Sequence, residues 1–110
     1  MADIKFSPDA LADLKDIQAY ITEELCSEEA ALNTVRRILK RIRSLGDFPE
    51  AGPLLRLKAD VENEYRFLVC GSYIAFYRYE HGTVFIVRVL YGRRDYIRIL
   101  FGGPLEEDGE

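Results

Sequence analysis

The side chains with the most chemical capacity in this sequence are arginines and tyrosines, and they crowd into its C-terminal half. Arg88 is the one charge inside the apolar run 84–90, VFIVRVL, and Tyr91-Gly92-Arg93-Arg94-Asp95-Tyr96 follows it directly. Arg66 and Arg78 stand in two earlier apolar stretches. A guanidinium presents a planar fork of donors that meets a carboxylate or phosphate bidentately, so the grouping suits an anionic macromolecule. The same arginines also serve in ordinary structural ion pairs, and their spacing leaves both readings open. The only histidine, His81, precedes Gly82 with no nucleophile nearby and reads as a turn residue. Cys26 and Cys70 lack a CxxC spacing or a histidine neighbour, which argues against zinc and for reduced intracellular thiols. No metal and no cofactor are expected.

Charge distribution sharpens the contrast. Residues 1–64 hold 9 Lys+Arg against 13 Asp+Glu, whereas residues 65–104 hold 6 arginines, no lysine, and only Glu80 and Asp95 as acids. Glu106, Glu107, Asp108 and Glu110 then bring the total to −4. At 110 residues and 48% hydrophobic, the chain supports one core and one domain. We assign residues 1–104 to that domain and 105–110 to an inert, disordered acidic tail. No apolar run approaches the roughly 18–20 residues of a membrane span, and the opening MADIKFSPDA has no signal-peptide core. A cytoplasmic protein without a membrane partner is expected.

The elements that must carry these residues follow from periodicity and caps. Residues 3–6 alternate and read as a short strand. Ser7-Pro8-Asp9 supplies an N-cap, an N1 proline and an acid at the positive end of a helix, with Phe6 and Leu11 placed for a hydrophobic staple. Leu11, Leu14, Ile17, Ile21 and Leu25 form its buried stripe, and Asp13, Asp16, Glu23 and Glu24 fall on a solvated face. Ser27 caps a second helix with Ala31, Val35, Ile38, Leu39, Ile42 and Leu45 inward, ending at Gly46 as the C′ residue. Its outer face holds Arg36, Arg37, Lys40, Arg41 and Arg43; such a face ordinarily solvates, with nucleic-acid contact as the alternative. Residues 47–64 are mostly connection. Three strands follow, 65–70, 73–79 and 84–90, joined by turns at Gly71-Ser72 and His81-Gly82. The expected fold is α+β: strand, helix, helix, strand, strand, strand and a short element over 95–101. It forms an antiparallel twisted sheet with the αα-hairpin on one face and a concave arginine- and tyrosine-lined surface on the other.

The helical hairpin, FP-x-x-G at 48–52, Tyr65-Arg66, YIAFYR at 73–78 and RVLYGRRDY at 88–96 resemble the RelE/ParE toxins of bacterial type II toxin–antitoxin (plasmid stabilisation) modules. The resemblance spans residues 3–101. It implies a cognate antitoxin, small and with an acidic C-terminal segment, that covers a toxin surface of Arg66, Arg78, Arg88, Tyr91, Arg93, Arg94 and Tyr96. Two activities occur in that family. RelE-like members cut mRNA on the ribosome with basic and hydroxyl side chains. Here Arg66 and Arg94 fit that pattern, Leu68, Ile74 and Leu100 stand where others belong, and Tyr91 or Tyr96 would have to substitute. ParE-like members inhibit DNA gyrase without a recognised active site. The resemblance favours the ParE-like, non-enzymatic branch, with the ribosome-dependent endoribonuclease as alternative and an inactive antitoxin-binding relative as a third reading.

Overall fold

The computed structural model describes residues 1–55 and 65–92. Their order is β1 (Asp3–Phe6), α1 (Pro8–Leu25), α2 (Glu28–Arg43), a 3-10 turn at Ser44–Gly46, β2 (Arg66–Cys70), β3 (Tyr73–Glu80) and β4 (Thr83–Tyr91). The element expected over 95–101 and the acidic tail lie outside the described residues. Both helix starts form as their caps dictate. The Ser7 hydroxyl accepts from Ala10 N at 2.9 Å and the Ser27 hydroxyl from Ala30 N at 3.1 Å. Cys26 closes α1 in the left-handed region (φ 51°), a position that usually goes to glycine. Gly46 is not a left-handed C′ residue: α2 tightens into the 3-10 turn, and the buried Gly46 carbonyl accepts from Ala2 N at 2.7 Å.

The strands form one sheet in the order β1-β4-β3-β2, with the paired helices on one face. The architecture is the expected α+β one, and the sheet is mixed. Tight turns force β2, β3 and β4 into antiparallel pairing, whereas β1 reaches β4 through the helical crossover and pairs with it in parallel, Asp3 with Thr83 to Phe6 with Ile86. The first turn places Gly71 at φ 66°; the second has His81 and Gly82 at 52° and 78°, the two positive angles a type I′ turn needs.

Because β1 ends at Phe6, β4 would present a bare edge beyond Ile86, and α1 covers it. Ser7 N donates to Ile86 O (2.9 Å) and the Ser7 hydroxyl donates to Val87 O (2.7 Å). The Asp13 carboxylate accepts from Val89 N at 2.9 Å and from Arg88 Nε and Nη2 at 2.7 and 2.8 Å. This corrects the expectation that Asp13 belongs to a solvated face: it is 8% exposed. The stripe of α1 is turned accordingly toward Ala10, Asp13, Leu14, Ile17 and Ile21, leaving Leu11 and Leu25 exposed. On the opposite edge, Pro53 O accepts from Phe67 N (3.1 Å) and Arg41 Nε donates to Val69 O (3.2 Å). The β4 backbone beyond β1 and the β2 edge are thereby blunted against strand addition.

The two faces of the sheet carry separate apolar clusters, and a register shift between Phe76 and Tyr77 leaves Val87 without a partner in β3, so β4 changes its alternation there. Leu68, Ala75, Tyr77, Val84, Ile86 and Val89 meet the helices, while Phe76 and Leu90 form a second cluster with Leu55, Tyr65, Phe67 and Ile74. Tyr77 also anchors the connection after α2: its hydroxyl accepts from Gly52 N and donates to Pro49 O, both at 2.9 Å. A Cβ on Gly52 would lie 2.3 Å from Phe67 O and 2.8 Å from the Tyr77 hydroxyl, which explains why that position must be glycine.

Asp13→Ala leaves Arg88 without its carboxylate and Val89 N without its acceptor, and should cost about 3–5 kcal/mol in urea unfolding; an unchanged midpoint would refute the role given to this pair. Gly52→Ala should lose roughly 1–3 kcal/mol or more by overpacking against the β2 backbone, read in the same way. Burial raises the pKa of Tyr77, Tyr73 and Cys70 above their ordinary values of 10.0, 10.0 and 9.0. The folded chain therefore holds these protons longer than the unfolded one. The resulting stability is complete below the ordinary values and lost as pH rises through the raised ones. Thermal midpoints should fall from about pH 9 upward, less steeply in Tyr77→Phe.

Candidate functional site

The arginines picked out from the sequence do not converge on one concave face among the described residues. Arg66 opens β2 and reaches back to the connection after α2, donating from Nη1 to Gly52 O at 2.8 Å and Glu50 O at 3.4 Å, with Nη2 3.8 Å from the Glu50 carboxylate. Arg78, on β3, pairs with the Glu80 carboxylate. Arg88 is drawn round the β4 edge to Asp13, whose hydrogen bonds raise its pKa, with Asp9 and Asp16 adding to the effect. Each guanidinium is satisfied within the fold. The sheet face away from the helices is largely apolar, with Phe76 and Leu90 buried and Val69 and Phe85 partly exposed. Arg93, Arg94 and Tyr96 lie outside the described residues.

Tyr91 sits in an open site. Its ring meets Tyr73 edge-on, centroids 5.9 Å apart and planes at 72°, and the pair stands between two clefts. One, of about 670 Å³, is lined by Arg37, Lys40 and Arg41 of α2, the Gly71-Ser72 turn, and Ile21 and Ile38 beneath. The other, of about 590 Å³, is lined by Asp13, Asp16, Ile17 and Tyr20 of α1 and by Val89 and Leu90 of β4. Tyr73 carries a raised phenol pKa, first from burial and then from Tyr20 and Tyr91 close by. The turn that closes the pair in is fixed by Gly92 N donating to Ser72 O at 2.9 Å.

The sequence held a signal for the basic cleft, since Arg37, Lys40 and Arg41 recur at the spacing of one helix face. It held none for the meeting of that face with Tyr73 and Tyr91, which is a product of packing. Cys70 lies at the back of the same cleft, its thiol pushed up by burial and drawn down by nearby Arg41. Among the described residues no three His, Cys, Asp or Glu side chains cluster to hold a metal, and no helix is long and apolar enough to cross a membrane. What this site offers is non-covalent recognition: cations on one side, carboxylates on the other, and aromatic rings between.

Comparison with solved structures finds chains of the same fold. A chain of the chromosomal ParDE system from Pseudomonas aeruginosa superposes with a TM-score of 0.70 at 22% identity, over 83% of this chain and 96% of that one. YafQ from Escherichia coli gives 0.50 at 15% identity, covering 83% and 93%. The RelBE2 toxin–antitoxin complex from Mycobacterium tuberculosis gives 0.46 at 24%, covering 82% and 96%. Comparison with curated protein sequences returns no match. The sequence model of the ParE toxin of the type II toxin–antitoxin system, parDE, matches residues 4–96, and the chain therefore belongs to the ParE toxin family.

Proposed function

We propose that this chain is held inactive by a cognate antitoxin with an acidic C-terminal segment and that, when free, it poisons DNA gyrase rather than cutting mRNA. The observation that supports the choice of target is Leu68. In the RelE-like pattern the second strand carries two alternating cations; here the second position is a leucine, 4% exposed, inside the core beneath the helices. Ile74, where the next strand would bring an arginine, packs against the Phe76–Leu90 cluster. Arg66, the cation that is present, is bonded to the Gly52 carbonyl. Cutting RNA through its own 2′-hydroxyl needs a base, an acid and phosphate-gripping cations at one point. With Leu68 and Ile74 in the core and Arg66 held, these positions supply structure instead. The formal charge of −4 also disfavours the ribosome, where phosphate neutralisation supplies most of the affinity.

Purified chain mixed with gyrase and supercoiled plasmid should accumulate nicked or linear DNA and suppress supercoiling. Unimpaired supercoiling at stoichiometric excess would refute the gyrase target. On translating ribosomes the mRNA should stay intact, and codon-positioned cleavage abolished by Arg94→Ala would move the chain to the ribonuclease branch. Neutralisation by the product of an adjacent reading frame tests the antitoxin half of the proposal independently of the target.

A further inference from the structure

We infer that the two clefts beside the Tyr73–Tyr91 pair act together as a track for one peptide segment of a partner protein, acidic where it crosses α2, apolar over the tyrosines and basic where it crosses α1. The inference rests on the reading that an antitoxin covers this chain, and it adds the charge order of the covering segment.

The two clefts share a wall and have opposite signs. Among the described residues no acid lines the α2 cleft, and Arg37 and Lys40 are exposed and form no ion pair. Beyond the tyrosines the balance reverses. Arg88 is bound by Asp13 and also faces Asp9 and Asp16, so among the described residues this side carries one cation against three acids. Both floors are apolar, with Ile21 and Ile38 on one side and Ile17 and Val89 on the other. The ridge between them is amphipathic: Tyr91 is 45% exposed and Tyr20 61%. Partly exposed tyrosines over an apolar floor are typical interface anchors, since they bury large area at low entropic cost.

Two occupants fit less well. A nucleic-acid strand would gain from Arg37, Lys40 and Arg41 but meet repulsion from Asp9 and Asp16 once past the tyrosines. Uniform negative charge matches half of the track and opposes the other half. An added β-strand would need the β4 edge, where Val87 O and Val89 N are already bonded by Ser7 and Asp13. A dipolar peptide held by its side chains meets both conditions.

The test uses the full chain and two end-blocked, fluorescein-labelled peptides of one composition. In the first, glutamates, leucines and lysines form three successive blocks; in the second, the charges are interleaved. Anisotropy at low ionic strength should show the block peptide binding about tenfold tighter, a difference of about 1.4 kcal/mol. Equal affinity, or no binding of either, overturns the track, and so does tighter binding of a single-stranded oligonucleotide. Arg37→Glu with Lys40→Glu makes both clefts acidic and should abolish the preference. Adding Asp9→Lys and Asp16→Lys to that pair restores opposite signs and should bring the preference back with the peptide reversed, a recovery that damage to the fold would not produce. All four residues are exposed. If the adjacent reading frame's product neutralises wild type and the Arg37→Glu, Lys40→Glu variant equally, the track fails while the antitoxin reading stands. If it does not neutralise the wild type but the block preference holds, the antitoxin reading fails and the track remains.

Discussion

One carboxylate ties the two layers of this protein together. Asp13 accepts from both the Arg88 guanidinium and the Val89 amide, so a single α1 side chain closes the β4 edge and neutralises the cation next to it. Removing a charge from water is costly unless its partner and its remaining lone pairs are supplied together, and here both come from one stretch of β4. The pair fixes how far α1 is rotated, which is why Ala10 and Asp13 face inward and Leu11 does not. It also fixes how α1 lies along the sheet, and with it the cleft between Tyr20 and Tyr91.

The same economy appears in the other arginines. Arg66 and Tyr77 hold opposite sides of the connection after α2, one at the Gly52 carbonyl and the other at the Gly52 amide. The FP-x-x-G stretch is a hinge-free staple, with a glycine where the β2 backbone leaves no room for a Cβ. Arg66 and Arg88 are therefore bonded into the frame. The side chains that the fold leaves partly uncovered at the clefts are those of α2 and the tyrosines.

The capped backbone of β4 and β2 constrains how a partner attaches there. Strand addition would have to displace Ser7 and Asp13 at β4, or Arg41 and Pro53 at β2. Side-chain docking into the clefts meets no such barrier. The charge of the chain is consequently less informative than its arrangement: an overall −4 coexists with a cleft lined, among the described residues, by three cations and no acid.

The sequence by itself determined what depends on neighbours along the chain. Ser7-Pro8 and Ser27 start the helices, Gly71 and His81-Gly82 turn the strands, and the 3.6-residue pattern of α2 buries Ala31, Ile38 and Ile42. The motifs at 48–52 and 88–96 carried the family resemblance as well. Tertiary structure decided whatever joins distant positions. Asp13 and Arg88 are 75 residues apart, and nothing local marks that acid as different from Asp16. The shift at Phe76/Tyr77 breaks the two-residue alternation on which side assignments along β4 depend. The parallel seat of β1 and the meeting of α2 with Tyr73 and Tyr91 arise only when the layers pack. Caps and turns are settled within a few residues of backbone, whereas the partner of a buried charge is chosen by the shape of the whole fold.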